Sequence, residues 1–265
     1  MTVAVIPVKG RHPLVHHTIA QALKVVDKVI CITDSGAEAF HLPGASDVVH
    51  VRRTTKLGKK WNTGFQAAKA YDPDHILFIG SSDWVSDNWM DYMLPSTENS
   101  EIVGVKSFNL LHLDYDVLDN IESLTKKKRH SGSHSVTVKY NGLRLGLWPG
   151  YDNFRRGEPI GIGRVLNRDF LRRIDYKPFD DDKNKHMDRH MFELCKSYTI
   201  APYEDIRCLS ISTSLWDNMH VWHDDYEIDE PDFLAKWFPD AYQLTEWENI
   251  KLLNTEIKWS VKDAY

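Results

Sequence analysis

Apolar residues are grouped along the first half of the chain in short runs, separated by stretches with helical spacing. Val3 to Val8 is an unbroken apolar run of strand length, and a continuous run of that kind suits a strand buried on both faces. Leu14 to Val25 repeats apolar residues at helical intervals. Lys28 to Thr33 reads as a second buried strand, closed by the polar turn Asp34-Ser35-Gly36. Asp47 to Val51 reads as a third strand, Thr63 to Tyr71 as a short helix, and His75 to Ile79 as a fourth strand running into Gly80-Ser81-Ser82-Asp83. This alternation predicts an α/β fold with a mostly parallel central sheet flanked by helices. In such sheets ligands bind beyond the carboxyl ends of the strands, which is where Lys9, Asp34 and Asp83 fall.

The second half is less regular. Leu124 to Tyr140 carries the basic cluster Lys126-Lys127-Lys128-Arg129-His130 and then a strand over Ser135 to Lys139. A basic loop of this kind is most simply a solvated one. Gly157 to Ile162 reads as a loop, Asp169 to Ile174 as the start of a helix, and Lys185 to Ser197 as a strong helical segment after Asp180-Asp181-Asp182. The tail from Asp232 reads as helices draped on the domain. The expected organisation is a catalytic-type domain over 1–230 with a helical extension over 231–265 packed on it.

Composition narrows the class. The chain has 265 residues with 42% hydrophobic and 27% charged, enough for one large domain with a sizeable core. A net charge of −5 gives no overall basic footprint for nucleic acid. Cys31, Cys195 and Cys208 are too few and too scattered for a disulfide framework or a zinc site. They read as reduced thiols, so a cytoplasmic setting is expected. The apolar run at the N-terminus is too short for a signal sequence, and no run reaches the ~18 apolar residues of a membrane span.

Asp34 and Asp83 are the first candidates for chemistry. Carboxylates at neighbouring strand ends can accept hydrogen bonds from a ribose or hold a hard divalent cation on two phosphates. Taken singly, each is more simply a turn or capping residue. Lys9, Arg11, Lys59 and Lys60 in the adjoining loops favour the functional reading. His186 and His190 share a helical face, but Met187 stands where a zinc protease needs glutamate. His220-Val221-Trp222-His223 alternates like a strand, so at most one of its histidines would face a given ligand.

These residues fall in an ordered series. Val5-Ile6-Pro7-Val8-Lys9-Gly10-Arg11, Ile32 to Gly36, Leu57 to Gly64 and Ile76 to Val85 are similar to the landmarks of family 2 glycosyltransferases, and Gly161 to Leu166 and Phe179 to His190 extend the likeness. The resemblance implies a GT-A fold and transfer of a sugar from a nucleoside-diphosphate sugar donor. It implies that Pro7, Val8, Lys9, Arg11 and Asp34 hold the base and ribose, with Lys60 and Asn62 beside the nucleotide. It implies a divalent cation, Mn2+ or Mg2+, on Asp83, with His220 or His223 completing the metal site. It implies Asp188 as the general base of an inverting transfer. Two departures stand out. Gly80, Ser81 and Ser82 replace the other acids of the family's DxD element, which weakens metal affinity or leaves phosphate binding to the serines, Ser82 among them, and the backbone. Trp61 replaces the basic residue common before the asparagine. The acceptor is not legible: a glycan, a small molecule, a protein or a hydroxylated DNA base all fit. A nucleotidyltransferase that makes activated sugars has a related fold, but it needs a glycine-rich phosphate loop, and Lys9-Gly10-Arg11-His12-Pro13 has one glycine. The third reading is a non-catalytic sugar- or nucleic-acid-binding protein of the same fold.

Overall fold

The computed structural model describes residues 1–8, 12–34, 42–52, 54–118, 133–151, 157–185, 187–215 and 226–253. It is an α/β protein with two mixed sheets. The first half runs β1 (Thr2–Val8), α1 (His12–Ala22), β2 (Lys28–Thr33), β3 (Asp47–His50), α2 (Leu57–Ala68), β4 (His75–Phe78), β5 (Asp83–Val85), α3 (Trp89–Thr97) and β6 (Ile102–Gly104). The second runs β7 (Phe108–Val117), β8 (Ser133–Trp148), β9 (Arg164–Asn167), α4 (Arg168–Arg173), α5 (Met187–Leu194), β10 (Tyr198–Ile200), β11 (Cys208–Thr213), α6 (Phe233–Trp237) and β12 (Asn249–Leu253).

The seven-stranded sheet has the order β10-β6-β9-β4-β1-β2-β3. Its faces follow the period of a strand. Val3 and Val5 of β1 face α2, where they pack with Trp61, Phe65 and Phe78. Ala4, Ile6 and Val8 face α1, where they pack with Val15 and Ile19. Burial on both sides explains why β1 is apolar throughout. Helix α2 lies close on the sheet: a Cβ on Gly64 would sit 2.3 Å from Ile32 Cδ1 and 2.7 Å from Val5 Cγ1. Strand β1 pairs in parallel with β2 on one side and β4 on the other, so the sheet order reverses at β1. That reversal opens a crevice at the carboxyl ends of the strands.

The five-stranded sheet has the order β12-β8-β7-β11-β5. One face is apolar: Leu111, Leu113, Leu209, Ile211 and Val138 pack against Phe233, Phe238 and Leu244.

Several elements differ from the expectation. The sheet is mixed, because β9 inserts antiparallel between β4 and β6. Asp83 does not end the fourth strand. The chain turns after Phe78, and Asp83 opens β5 in the second sheet. Helix α2 begins at Leu57, since Trp61, Phe65 and Ala68 already share its buried face, so Lys59, Lys60 and Asn62 are helical residues and not loop residues. The helical segment expected from Lys185 is the shorter α5. The tail is not wholly helical: β12 pairs antiparallel with β8. Among the described residues, no helix is long and apolar enough to cross a membrane.

Candidate active site at the strand ends

Lys60 reaches from α2 across the ends of β1 and β2. Its Nζ donates to the Val8 carbonyl at 2.5 Å and lies 3.3 Å from Asp34 Oδ2. The Lys60 side chain is 5% exposed and that of Asp34 is 17% exposed, so the pair is nearly dry but Asp34 keeps an open edge. Pro7 and Val8 lie in β1, paired with Ile32 and Thr33. Lys9 and Arg11 lie outside the described residues.

Asp83 closes a tight turn beyond β4. Its Oδ2 accepts from the Gly80 N–H at 2.9 Å, and its Oδ1 accepts from Ser210 Oγ of β11 at 3.0 Å. Ser82 is buried, and its carbonyl accepts from the Ile211 N–H. Asp34 and Asp83 are not side by side as the sequence suggested. Strand β1 runs between β2 and β4, which separates their ends by about 10 Å at ordinary strand spacing.

Asp188 is the third acid. It stands in the first turn of α5, where a carboxylate also suits the helix dipole. Its Oδ1 accepts from Arg164 Nη1 at 2.9 Å and its Oδ2 from the Tyr151 hydroxyl at 3.1 Å. Arg164 is fully buried. Its Nη2 donates to the Pro159 carbonyl at 2.8 Å, and its guanidinium lies 4.8 Å from the centre of the Phe192 ring. Arg164 pairs across the ladder with Phe78, the last residue of β4. The ion pair therefore brings Asp188 to the same strand end from which the chain leaves for Asp83. The turn before Arg164 is tight: Gly163 has φ +70°, and a Cβ there would sit 2.4 Å from the Trp89 ring.

Asn62, expected beside the nucleotide, is a brace. Both of its amide hydrogens are committed, to the Phe179 carbonyl at 2.7 Å and to Asp181 Oδ1 at 2.8 Å, and its Oδ1 accepts from the Phe179 N–H. Together with the bond from the Gly58 N–H to the Lys183 carbonyl, it fixes the segment that leads into α5. Trp61 stands where a basic residue was expected because its ring packs 4.1 Å from Phe78, in the core.

His220 and His223 lie outside the described residues, as do Lys126 to His130 and His186. Among the described residues, no group of three or more histidine, cysteine or acidic side chains could hold a metal ion. Among the described residues, Asp83 is thus not joined by enough donors to form a cage. A single carboxylate oriented by Gly80 and Ser210 does fit a hard cation that arrives on a diphosphate, since such ions take one or two carboxylates and complete their shell with phosphate and water. The cysteines offer no nucleophile. Burial pushes the Cys31 thiol up to about 12 and Cys195 to about 11, and raises Cys208 well above its ordinary value. A groove of about 770 Å³ lies elsewhere, between β8 and residues 245–249, and shares no residue with the strand-end site.

Arg164 and Tyr151 had no assigned role in the sequence reading. The signal for Arg164 was a charged residue inside the buried run Arg164-Val165-Leu166. Tyr151 had none.

No protein-family model matches the chain, and no curated protein matches it. Among solved structures it is similar to S. aureus TarS 1-349, with TM-score 0.49 and 11% identity over 80% of this chain and 60% of that one. It is similar to the same protein in complex with UDP-GlcNAc, with TM-score 0.48 and 10% identity over 89% and 63%. It is also similar to the mannosyltransferase PcManGT from Pyrobaculum calidifontis in complex with GDP-Man and Mn2+, with TM-score 0.45 and 9% identity over 80% and 56%. This chain thus spans less than two thirds of the length of each. At this level of similarity neither substrate nor activity carries over.

Proposed function

We propose that this chain transfers a sugar from a nucleoside-diphosphate sugar to an acceptor hydroxyl, with inversion at the anomeric carbon, on a GT-A-type scaffold. Three placements support the reading: Asp34 with Lys60 at the ends of β2 and β1, the Gly80–Asp83 turn beyond β4, and Asp188 tied through Arg164 to the end of β4. Asp34 accepts hydrogen bonds from the ribose hydroxyls, and Lys60 holds its carboxylate in place. The backbone of the 80–83 turn, Ser82 and Asp83 face the diphosphate. Asp83 would hold a divalent cation there, with His220 or His223 as a further ligand, and the cation would supply charge stabilisation for the departing diphosphate.

Asp188 then takes the proton of the acceptor hydroxyl as that oxygen attacks the anomeric carbon from the face opposite the leaving group. Arg164 and Tyr151 fix the direction of its carboxylate. In Asp188→Asn the amide oxygen can still accept from Arg164, but the buried guanidinium loses its counter-charge, which lowers stability, so donor affinity is compared where the variant is folded and there stays near normal. Turnover falls by ~10²-fold or more. The product carries the opposite anomeric configuration, readable by nuclear magnetic resonance. Retained configuration, or near-normal turnover in Asp188→Asn, removes Asp188 from the role. Consumption of a nucleoside triphosphate instead of release of a diphosphate from a nucleotide-sugar panel would replace the reading with nucleotidyl transfer.

A further inference from the structure

The second sheet carries a polar strip that none of these roles uses. It starts at Asp83. Ser210 of β11 sits opposite Asp83 of β5 and bonds to its carboxylate, so the two side chains share a face. Two residues on, Ser212 is on that same face by the period of a strand. His112 of β7 is the cross-strand partner of Ser212, and Arg144 of β8 is the partner of His112. Asp114 lies two residues beyond His112. Four strands therefore contribute to one row of polar side chains, beginning where the apolar packing of Val85, Cys208 and Leu110 ends.

The row is bonded in sequence. His112 Nε2 lies 3.0 Å from Asp114 Oδ1, and its Nδ1 lies 2.7 Å from Ser212 Oγ. Since the carboxylate can only accept, Nε2 carries the hydrogen, and Nδ1 of the neutral ring accepts from Ser212. Burial lowers the pKa of His112 more than the adjacent Asp114 raises it, which keeps the ring neutral. Arg144 Nε lies 3.7 Å from Asp114 Oδ2. The order serine, histidine, aspartate is that of a hydrolytic triad, but Ser212 is only 2% exposed and cannot meet a substrate carbonyl. The relay instead orients Asp114. The side chains of Asp114 and Arg144 are each 37% exposed, so the oriented end of the row is the end that meets solvent.

A carboxylate that only accepts, beside a guanidinium that only donates, complements neighbouring hydroxyls, each of which does both. Four residues along the parallel strands β11 and β7 and two steps across put Asp114 roughly 16 Å from Asp83 on the same face. We propose that Asp114 and Arg144, held by His112 and Ser212, bind the hydroxyl-rich acceptor, a saccharide or other polyol, while its reacting hydroxyl meets the donor at the strand ends. This rests on the glycosyl-transfer reading of that site for the name acceptor, but the binding itself does not.

The test uses the full chain. An array of mono- to hexasaccharides and simple polyols is probed with wild type, Asp114→Asn and Arg144→Gln, while affinity for a nucleoside diphosphate is measured separately by calorimetry. Circular dichroism checks each fold, and His112→Gln serves as a further variant should either fail. The expected result is binding of at least one hydroxyl-rich probe that weakens about tenfold or more in each variant, the scale of a lost charge-assisted hydrogen bond, with nucleotide affinity unchanged within about twofold. Undiminished probe binding in the variants overturns the proposal, and so does a wild type that binds no probe on the array. Loss of nucleotide binding in wild type would instead overturn the transfer reading and leave the array to decide this one.

Discussion

The two sheets spend their side chains differently. In the seven-stranded sheet, β1 and β2 are covered on both faces, and almost every side chain goes into packing. Chemistry there is confined to the strand ends, at Asp34 and at the turn after β4. In the five-stranded sheet one face packs against residues 233–250, while the other passes from apolar to polar partway along β7 and β11. Chemistry can then run along the strands themselves. A doubly covered sheet makes a rigid frame with a functional edge, and one whose second face opens at Asp114 and Arg144 can offer a functional surface.

The contrast can be broken by mutation. Trp61→Ala empties a ring packed among Phe65, Phe78 and Phe179 and should cost about 3–5 kcal/mol of stability, measured by denaturant unfolding. A loss under about 1 kcal/mol would show that the first sheet is not the frame. Gly64→Val pushes a branched side chain into Ile32 and Val5 and should cost about 1–3 kcal/mol, seen as a lower midpoint with an unchanged slope. Asp83→Asn sits at the junction of the two sheets. It should remove the manganese dependence of nucleoside diphosphate binding in calorimetry while the chain stays folded, and an unchanged metal dependence takes Asp83 out of the metal role.

Two smaller effects sharpen the comparison. Burial holds His17, His75 and His112 below their ordinary value of 6.5. The unfolded chain therefore binds more protons than the folded one as pH falls below about 6.5. Stability contributed by these groups is present above that pH and declines below it, so Tm should be lower at pH 5.5 than at pH 7.5, and His112→Gln should make the decline shallower. Asp114→Asn should change stability least, within about 1 kcal/mol, as expected for a half-exposed ion pair. A larger loss would mean that the polar row is structural and not a binding surface.

The frame was legible in the sequence because doubly buried strands leave a continuous apolar run that needs no tertiary information. β1, β2 and β4 fall close to where Val3–Val8, Lys28–Thr33 and His75–Ile79 placed them. Helix α2 was expected from Thr63 but starts at Leu57, because the buried face that Phe65 and Ala68 continue already includes Trp61. Strand β12 was hidden by the surrounding helical spacing, and its partner β8 lies more than a hundred residues earlier in the chain.

The sequence by itself determined that this is an α/β chain with acids following its early strands, because local periodicity and strand ends are properties of adjacent residues. Only the tertiary structure decided where those acids lie. Asp188 reaches the end of β4 through a buried arginine on an antiparallel neighbour, Asp83 belongs to the second sheet, and Asn62 turns away to brace the approach to α5. Cross-strand pairing joins Asp114, His112 and Ser212 in the same way, over about a hundred residues of chain. Such pairings arise from sheet order and register, which no short stretch of sequence contains.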